Sequence, residues 1–229
     1  MHTADSEYQD NLVRGLTHRM NNILTLFHGY LGMLLDNQKL DKATLEGLSK
    51  IKVSAAQASE LMDRTHSLVR PTSTVWRAIP IGDYVRTLRP VFEGFLGPRT
   101  EISFKIEDNL PSIQGDAGRV KTAIVELVKN ACEATFANGG KVEVAVHCET
   151  PRGQRSKWII MTVKDDGPGF PPEIAKKIFD PFFSTKKKQN AAGLGLTVAS
   201  SFVNLHKGNL KLECGDGWTT GEIRLPVVE

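Results

Sequence analysis

The sequence predicts an α+β chain in which an N-terminal antiparallel helical hairpin is followed by a domain of mixed helices and strands. Through about the first seventy residues, apolar side chains recur every three or four positions, as in amphipathic helices. Beyond a linker at residues 71–74 they alternate along short segments, as in half-buried strands. We therefore place one domain at residues 1–71 and a second at residues 75–229.

The composition is that of a globular protein with no strong charge field. The 229 residues include 29 basic and 26 acidic side chains, for a net charge of +3. We therefore expect no nucleic-acid partner. No stretch approaches the roughly 18 apolar residues that span a bilayer, so we predict a cytoplasmic chain without a membrane segment. The three cysteines are odd in number and widely spaced, which favours buried thiols in a reducing compartment.

The first predicted helix runs from about residue 5 to 36, and Asp41 is expected to N-cap a second one that ends at Arg70 and Pro71. A lone hairpin leaves part of its apolar surface uncovered, and a second copy offers a self-complementary surface. We therefore predict a homodimer with a four-helix bundle. The apolar positions of the first helix are Leu12, Leu16, Met20, Ile23, Phe27, Leu31 and Leu34.

The second domain is predicted to contain three helices among its strands. The helices run from Asp83 to about Leu96, from Asp116 to about Phe136 and from Leu194 to about Leu205, and Asp83 and Asp116 are the expected N-caps. Strands are predicted at 102–106, 142–146, 158–163, 209–214 and 221–227.

The helix from Asp116 carries an acceptor pair, because Glu126 and Asn130 are four residues apart and share one helical face. Such a pair can hold a hydrated Mg²⁺ ion. The alternative interpretation is a polar stripe on a half-exposed helix.

Two glycine-rich segments follow. The strand at 158–163 leads into Asp165 and the glycines Gly167 and Gly169, where the backbone can approach a ligand and a carboxylate can accept a bond from an exocyclic amine. Gly193 and Gly195 stand at the start of the last predicted helix, where exposed N–H groups suit phosphate oxygens.

Four segments in this order resemble the N, G1, F and G2 boxes of the histidine-kinase catalytic domain, a member of the gyrase, Hsp90, histidine kinase and MutL (GHKL) ATP-binding superfamily. They begin at Glu126, Asp165, Phe179 and Ala191. Over residues 75–229 the resemblance implies an α/β sandwich of the Bergerat type, with a mixed sheet under three helices, and it implies ATP and Mg²⁺ as cofactors.

The resemblance also implies roles for individual residues. Asn130 and Glu126 would ligate Mg²⁺, and Asp165 would bind the adenine amino group. Lys186 would contact a phosphate from the lid. The other residues assigned to ATP binding are Lys129, Glu133, Gly167, Gly169, Gly193, Leu194, Gly195, Leu196 and Thr220.

Residues 16–22 of the first helix resemble the phosphoacceptor box of histidine kinases, with His18 as the phosphorylated imidazole. At about 100° per residue, His18 lies about 200° from Leu16, and Asn22 falls about 40° from His18. The resemblance implies autophosphorylation of His18 and transfer to an aspartate of a response regulator receiver domain. Asn22 matches the position whose amide orients water in phosphatase reactions.

Two departures from the family pattern keep alternatives open. Arg19 stands where a carboxylate commonly assists as base, and a guanidinium cannot accept a proton. A second hypothesis is therefore a catalytically weakened phosphotransfer or docking scaffold for response regulators. Glu126 opens the N box where many histidine kinases have asparagine, so the third hypothesis is a GHKL-type ATPase with Glu126 as general base.

Overall fold

The computed structural model of the chain describes residues 2–36, 40–68, 75–151, 153, 156–185, 193–215 and 217–227. The chain divides into two compact units, Met1–Thr72 and Ser73–Glu229. Within the described ranges, no helix combines the length and the apolar character needed to cross a bilayer.

The first unit is a helical hairpin of α1 (His2–Leu35) and α2 (Lys42–Leu68). The predicted N-cap of α2 is confirmed, because Asp41 Oδ1 accepts a hydrogen bond from Thr44 N–H at 2.8 Å. Asp41 Oδ2 accepts another from the Thr44 hydroxyl at 2.9 Å. These bonds favour the charged carboxylate and lower the pKa of Asp41.

Small and polar side chains join the two helices, which run antiparallel. Asn21 Nδ2 donates to Asp63 Oδ1 at 3.0 Å, and His28 Nε2 lies 3.4 Å from Ser59 Oγ. Among the hairpin side chains that the structure describes, the buried ones are Thr17, Leu24, Leu31 and Ala55. Most of the predicted apolar stripe therefore lies beside this seam and remains exposed.

The second unit is built on a five-stranded mixed sheet in the order β2-β4-β5-β7-β6. The pair β2–β4 is parallel and the other neighbours are antiparallel. The strands are β2 (Thr100–Ile106), β4 (Gly140–Glu149), β5 (Trp158–Asp165), β6 (Asn209–Gly215) and β7 (Trp218–Pro226). Two short strands, β1 (Arg77–Ile79) and β3 (Ile113–Gly115), form a separate antiparallel pair that the sequence did not predict.

A short 3₁₀ helix lies at Pro172–Ile174. In the described part of the second unit, four α-helices accompany the sheet. They are α3 (Ile81–Thr87), α4 (Arg89–Glu93), α5 (Ala117–Thr135) and α6 (Gly195–Leu205). The apolar sides of α5 and α6 meet the sheet in a core that includes Leu127, Val128, Val144, Val163, Phe202 and Ile223. The α+β fold, with a helical hairpin before a sandwich of sheet and helices, is confirmed.

The predicted helix from Asp83 to Leu96 is wrong in two respects. It begins at Ile81 after Pro80, so Asp83 lies in its first turn and pairs with Arg86 at 3.0 Å instead of capping it. It is also divided at Leu88, because Pro90 has no N–H to continue the helical ladder. Asp116 does cap α5, since its Oδ1 accepts from Arg119 N–H at 3.1 Å.

The prediction of three buried thiols holds for Cys132 alone. Cys132 lies in the core on α5, Cys148 is half-buried on β4, and Cys214 is exposed near the end of the edge strand β6. Burial, and then the charges of Asp165 and Glu133, raise the pKa of Cys132 to about 11.

Candidate functional site

Asp165 is a buried carboxylate at the end of β5, only 5% exposed. Alternate residues of β5 face α5, and this period carries the Asp165 side chain to the same face as Met161 and Val163. Asp165 Oδ1 accepts a hydrogen bond from Gly167 N–H at 3.0 Å, which fixes the carboxylate in the turn that follows the strand.

Gly167 is the point where this turn meets α5. A Cβ atom on Gly167 would lie 2.7 Å from Asp165 Oδ1 and 2.8 Å from the Cβ of Ala134. No larger side chain fits this space without a shift of the helix or the turn. The backbone of Gly167 therefore lies directly beside the Asp165 carboxylate, with no side chain between them.

The face of α5 that reaches this turn carries the predicted metal ligands. Glu126, Asn130 and Ala134 stand in successive turns of α5, and Glu126 is buried while Asn130 is half-buried. Glu133 follows Cys132 on α5 and is half-buried. Lys129 is half-buried on the same helix.

Clusters of three or more His, Cys, Asp or Glu side chains able to hold a metal are absent from the described residues. An oxygen pair from Glu126 and Asn130 suits Mg²⁺ only if waters and ligand phosphates complete the octahedron, which is how Mg²⁺ commonly binds. The two residues therefore fit a metal that arrives with a phosphate ligand.

The second glycine segment begins α6. Leu194 is the N-cap residue and is fully buried, Gly195 and Leu196 open the helix, and no side chain caps the first turn. Gly193 has φ +66°, and a Cβ there would lie 2.5 Å from the carbonyl carbon of Phe182. The Thr197 hydroxyl donates to the Phe179 carbonyl at 3.0 Å, which joins α6 to the F segment. Lys186 lies outside the described residues.

The strand register identifies a residue that the sequence analysis missed. Asp165 pairs with Thr219 across β5 and β7, whereas Thr220 pairs with Lys164 and points to the opposite face of the sheet. Thr219 is buried and Thr220 is half-buried. Counting back in steps of two from the apolar Ile223 would have selected Thr219.

The hairpin presents the predicted phosphoacceptor at its surface. His18, Arg19 and Asn22 are exposed on α1. Asn22 Nδ2 lies 3.4 Å from His18 Nδ1, so the amide and the imidazole are in contact one helical turn apart. The neighbouring Thr17 faces inward, and its hydroxyl donates to the carbonyl oxygens of Val13 and Arg14 at 2.9 and 3.0 Å.

The family match and the similar proteins all point to histidine kinases. Residues 115–229 match the family described as "Histidine kinase-, DNA gyrase B-, and HSP90-like ATPase". The signal transduction histidine-protein kinase AtoS of Escherichia coli (strain K12) is 27% identical over 94% of this chain and 34% of its own length. The sensory histidine kinase/phosphatase NtrB of Vibrio alginolyticus is 28% identical over 95% of this chain and 62% of its own length.

Among solved structures, full-length ShkA in complex with AMPPNP aligns with a TM-score of 0.74 at 22% identity, over 94% of this chain and 45% of that one. This likeness shows the fold. The chain spans about one third of the length of AtoS and about three fifths of that of NtrB. On the match over residues 115–229, the chain belongs to the histidine kinase-, DNA gyrase B- and HSP90-like ATPase family.

Proposed function

We propose that the chain is the core of a two-component histidine kinase, in which ATP bound to the second unit phosphorylates His18 of the hairpin and the phosphoryl group passes to an aspartate of a response regulator receiver domain. The observation that carries the proposal is the corner where Asp165, Gly167 and α5 meet, because a buried carboxylate held by a glycine turn suits the exocyclic amine of an adenine ring. Because ATP is the phosphoryl donor, we infer a cytoplasmic location.

We assign tasks to the main predicted residues of the second unit. Asp165 accepts from the exocyclic amine of adenine, with Thr219 on the same face. The N–H groups after Gly193, at the start of α6, bind phosphate oxygens because the positive end of the helix dipole favours negative charge. Lys186 adds a cation. Asn130 and Glu126 hold Mg²⁺, which when bound offsets the negative charge of the phosphates.

On the hairpin, His18 is the nucleophile. Its exposure leaves an imidazole nitrogen open to an incoming γ-phosphoryl group, and Asn22 is in contact with the ring. The Asn22 amide is also suited to orient a water for hydrolysis of a regulator's phosphoaspartate. We therefore propose a phosphatase activity toward the receiver domain as well.

We also propose a homodimer through the hairpin. Large apolar side chains remain exposed beside the seam between α1 and α2, which is an unusual amount for a solvent-facing surface. A second copy presents the same surface and buries it in a four-helix bundle. In the described part of the hairpin, the large apolar side chains that are exposed are Leu16, Met20, Ile23, Leu26, Phe27, Tyr30, Met33, Leu34, Ile51 and Val53.

The direct test is incubation with γ-labelled ATP and Mg²⁺, scored as acid-labile, alkali-stable label on the protein. We expect label on wild type and on His28→Ala, which changes another histidine of α1, and none on His18→Ala. Release of free phosphate without label would instead favour the ATPase with Glu126 as base. Binding of ATP with neither product would favour the docking scaffold.

The nucleotide site has its own test. Asn130→Ala removes a proposed Mg²⁺ ligand from a half-buried position, so we expect it to abolish Mg·ATP binding in titration calorimetry while the dimer persists. Asn204→Ala, an exposed asparagine on α6, is the matched control and should bind as wild type does. Equal nucleotide affinity in Asn130→Ala would contradict the site.

A further inference from the structure

The thiol of Cys214 contacts three residues near Asp165, namely Gly169, Phe170 and Thr219, although Cys214 itself is exposed on β6. Its Sγ accepts a hydrogen bond from Phe170 N–H at 3.3 Å. The same sulfur lies 3.5 Å from Thr219 Oγ1. A Cβ atom built on Gly169 would be 3.1 Å from it, so the sulfur lies directly against the backbone there.

These contacts connect two sides of the site that are distant in sequence. Gly169 and Phe170 belong to the turn that begins with the Asp165–Gly167 hydrogen bond, on one side. Thr219 is the cross-strand partner of Asp165, on the other. Cys214 comes from a third segment, the edge strand β6, and its sulfur lies between them.

The chemistry of a thiol fits this position. A sulfur is a weak acceptor that is larger than a hydroxyl oxygen, and its S–H is a weak donor. One atom can therefore accept from Phe170 N–H and share a hydrogen with the Thr219 hydroxyl. The N–H of Phe170 needs an acceptor where the turn passes the sheet edge, and among the hydrogen bonds described, Sγ supplies it.

We propose that Cys214 is a positioning residue of the nucleotide site, whose thiol holds the Gly169–Phe170 turn against Thr219 and so sets the spacing between the turn and the strand that flank Asp165. The inference rests on the proposed function, because it assumes that ATP binds at this corner. Cys214 does not itself touch the reacting phosphates.

Substitution separates the hydrogen bond from the bulk of the side chain. Cys214→Ala removes the acceptor, so ATP binding must order a turn that the thiol already holds in the wild type. A cost of about 1 kcal/mol for this ordering corresponds to about a fivefold rise in the Kd for ATP. Cys214→Ser keeps an acceptor at a shorter reach and should restore much of the affinity. The turnover of bound ATP should change little, so the effect belongs in KM rather than kcat.

The experiment measures ATP affinity by calorimetry, KM and kcat for His18 labelling, and the thermal midpoint, for the wild type, Cys214→Ala, Cys214→Ser and the control Cys148→Ala. Cys148 is half-buried on β4 and makes no side-chain contact with the turn among the contacts described. We expect a weaker affinity in Cys214→Ala, rescue by Cys214→Ser, and midpoints close to that of the wild type.

The outcomes distinguish this inference from the proposed function. If the wild type binds ATP and Cys214→Ala binds it equally well, Cys214 has no positioning role and only this inference is overturned. A fall in affinity that follows the thermal midpoint, without rescue by serine, also overturns it, because it would indicate general destabilisation. If the wild type fails to bind ATP, the proposed function fails and this inference falls with it.

Discussion

At the scale of single residues, Arg19 is the main difference between this phosphoacceptor box and boxes in which a carboxylate follows the histidine. It is exposed on α1, directly after His18. A guanidinium stays charged at all ordinary pH values and offers only donors. It can attract a phosphate but cannot take a proton from the imidazole as that nitrogen attacks.

Arg19→Glu should therefore increase the rate of His18 labelling from γ-labelled ATP. General-base assistance is worth about a hundredfold or more where geometry is favourable, and we expect a gain of at least about tenfold. Arg14→Glu makes the same change of charge five residues earlier on α1 and is the control. Equal labelling rates for Arg19→Glu and the wild type would show that the kinase does not need a base at this position.

The buried thiol of Cys132 makes the free energy of unfolding depend on pH in the alkaline range. Its pKa is raised from 9.0 to about 11, mainly because burial disfavours the thiolate. Since the unfolded thiol ionises first, the folded state binds the proton more tightly between these values. The stabilising contribution is therefore complete below about pH 9 and is lost as the pH rises toward about 11.

We predict that the free energy of unfolding falls more steeply above about pH 9 in the wild type than in Cys132→Ala. Urea unfolding at about pH 8 and pH 10.5 measures the two slopes. The variant should be less stable at both pH values because it leaves a cavity in the core. Parallel slopes in the two proteins would refute the assignment to this thiol.

At the scale of elements, one histidine joins the end of α6 to the start of α5. His206 is 3% exposed, and its Nε2 accepts from Asp116 N–H at 2.9 Å. Its Nδ1 lies 2.6 Å from the Phe202 carbonyl oxygen. Because Nε2 is the acceptor, Nδ1 carries the proton and donates, so the ring is a neutral tautomer with both nitrogens satisfied. Trp76 lies over it at 4.9 Å between ring centroids.

His206→Ala should destabilise the second unit by about 2 to 4 kcal/mol, because it leaves the Asp116 N–H without its acceptor, removes the bond from Nδ1 to the Phe202 carbonyl and opens a gap under Trp76. Chemical denaturation followed by Trp fluorescence measures this change. His147→Ala, at an exposed position of β4, is the matched control and should stay within about 0.5 kcal/mol of the wild type. Similar losses in both variants would contradict the role of His206.

At the scale of the whole molecule, assembly is the property with the clearest test. Phe27 on α1 is 53% exposed, and Phe136 at the end of α5 is 52% exposed. The two phenylalanines are nearly equally exposed but lie in different units, so they form a matched pair. Only Phe27 belongs to the apolar surface that we assign to the proposed dimer.

Phe27→Glu should convert the dimer to a monomer, because it would bury a carboxylate in the centre of the four-helix bundle without a counter-charge. Phe136→Glu should leave the dimer intact. Light scattering coupled to size-exclusion chromatography gives both molar masses. A wild-type chain that is monomeric at micromolar concentration, or a dimer that persists in Phe27→Glu, would refute the proposed interface.

The sequence by itself determined the class of fold and most elements, and it proposed most residues of the candidate site. Helical and strand periods differ, so the change near residue 71 is visible in the order of apolar residues. The caps at Asp41 and Asp116 follow from local hydrogen bonding within three residues. Asp165 and Gly167 are two residues apart, so a short turn after β5 brings the carboxylate and the glycine together without help from distant segments.

Tertiary structure alone decided the features that depend on which strands are neighbours and in which register. Counting in steps of two from Ile223 gives the face of Thr219, but only the register of β7 against β5 places Thr219 opposite Asp165. Cys214 reaches the turn at Gly169 from a segment more than forty residues away. His206 and Asp116 meet across ninety positions. Such contacts arise from the pairing of strands and the packing of helices, which local propensity does not specify.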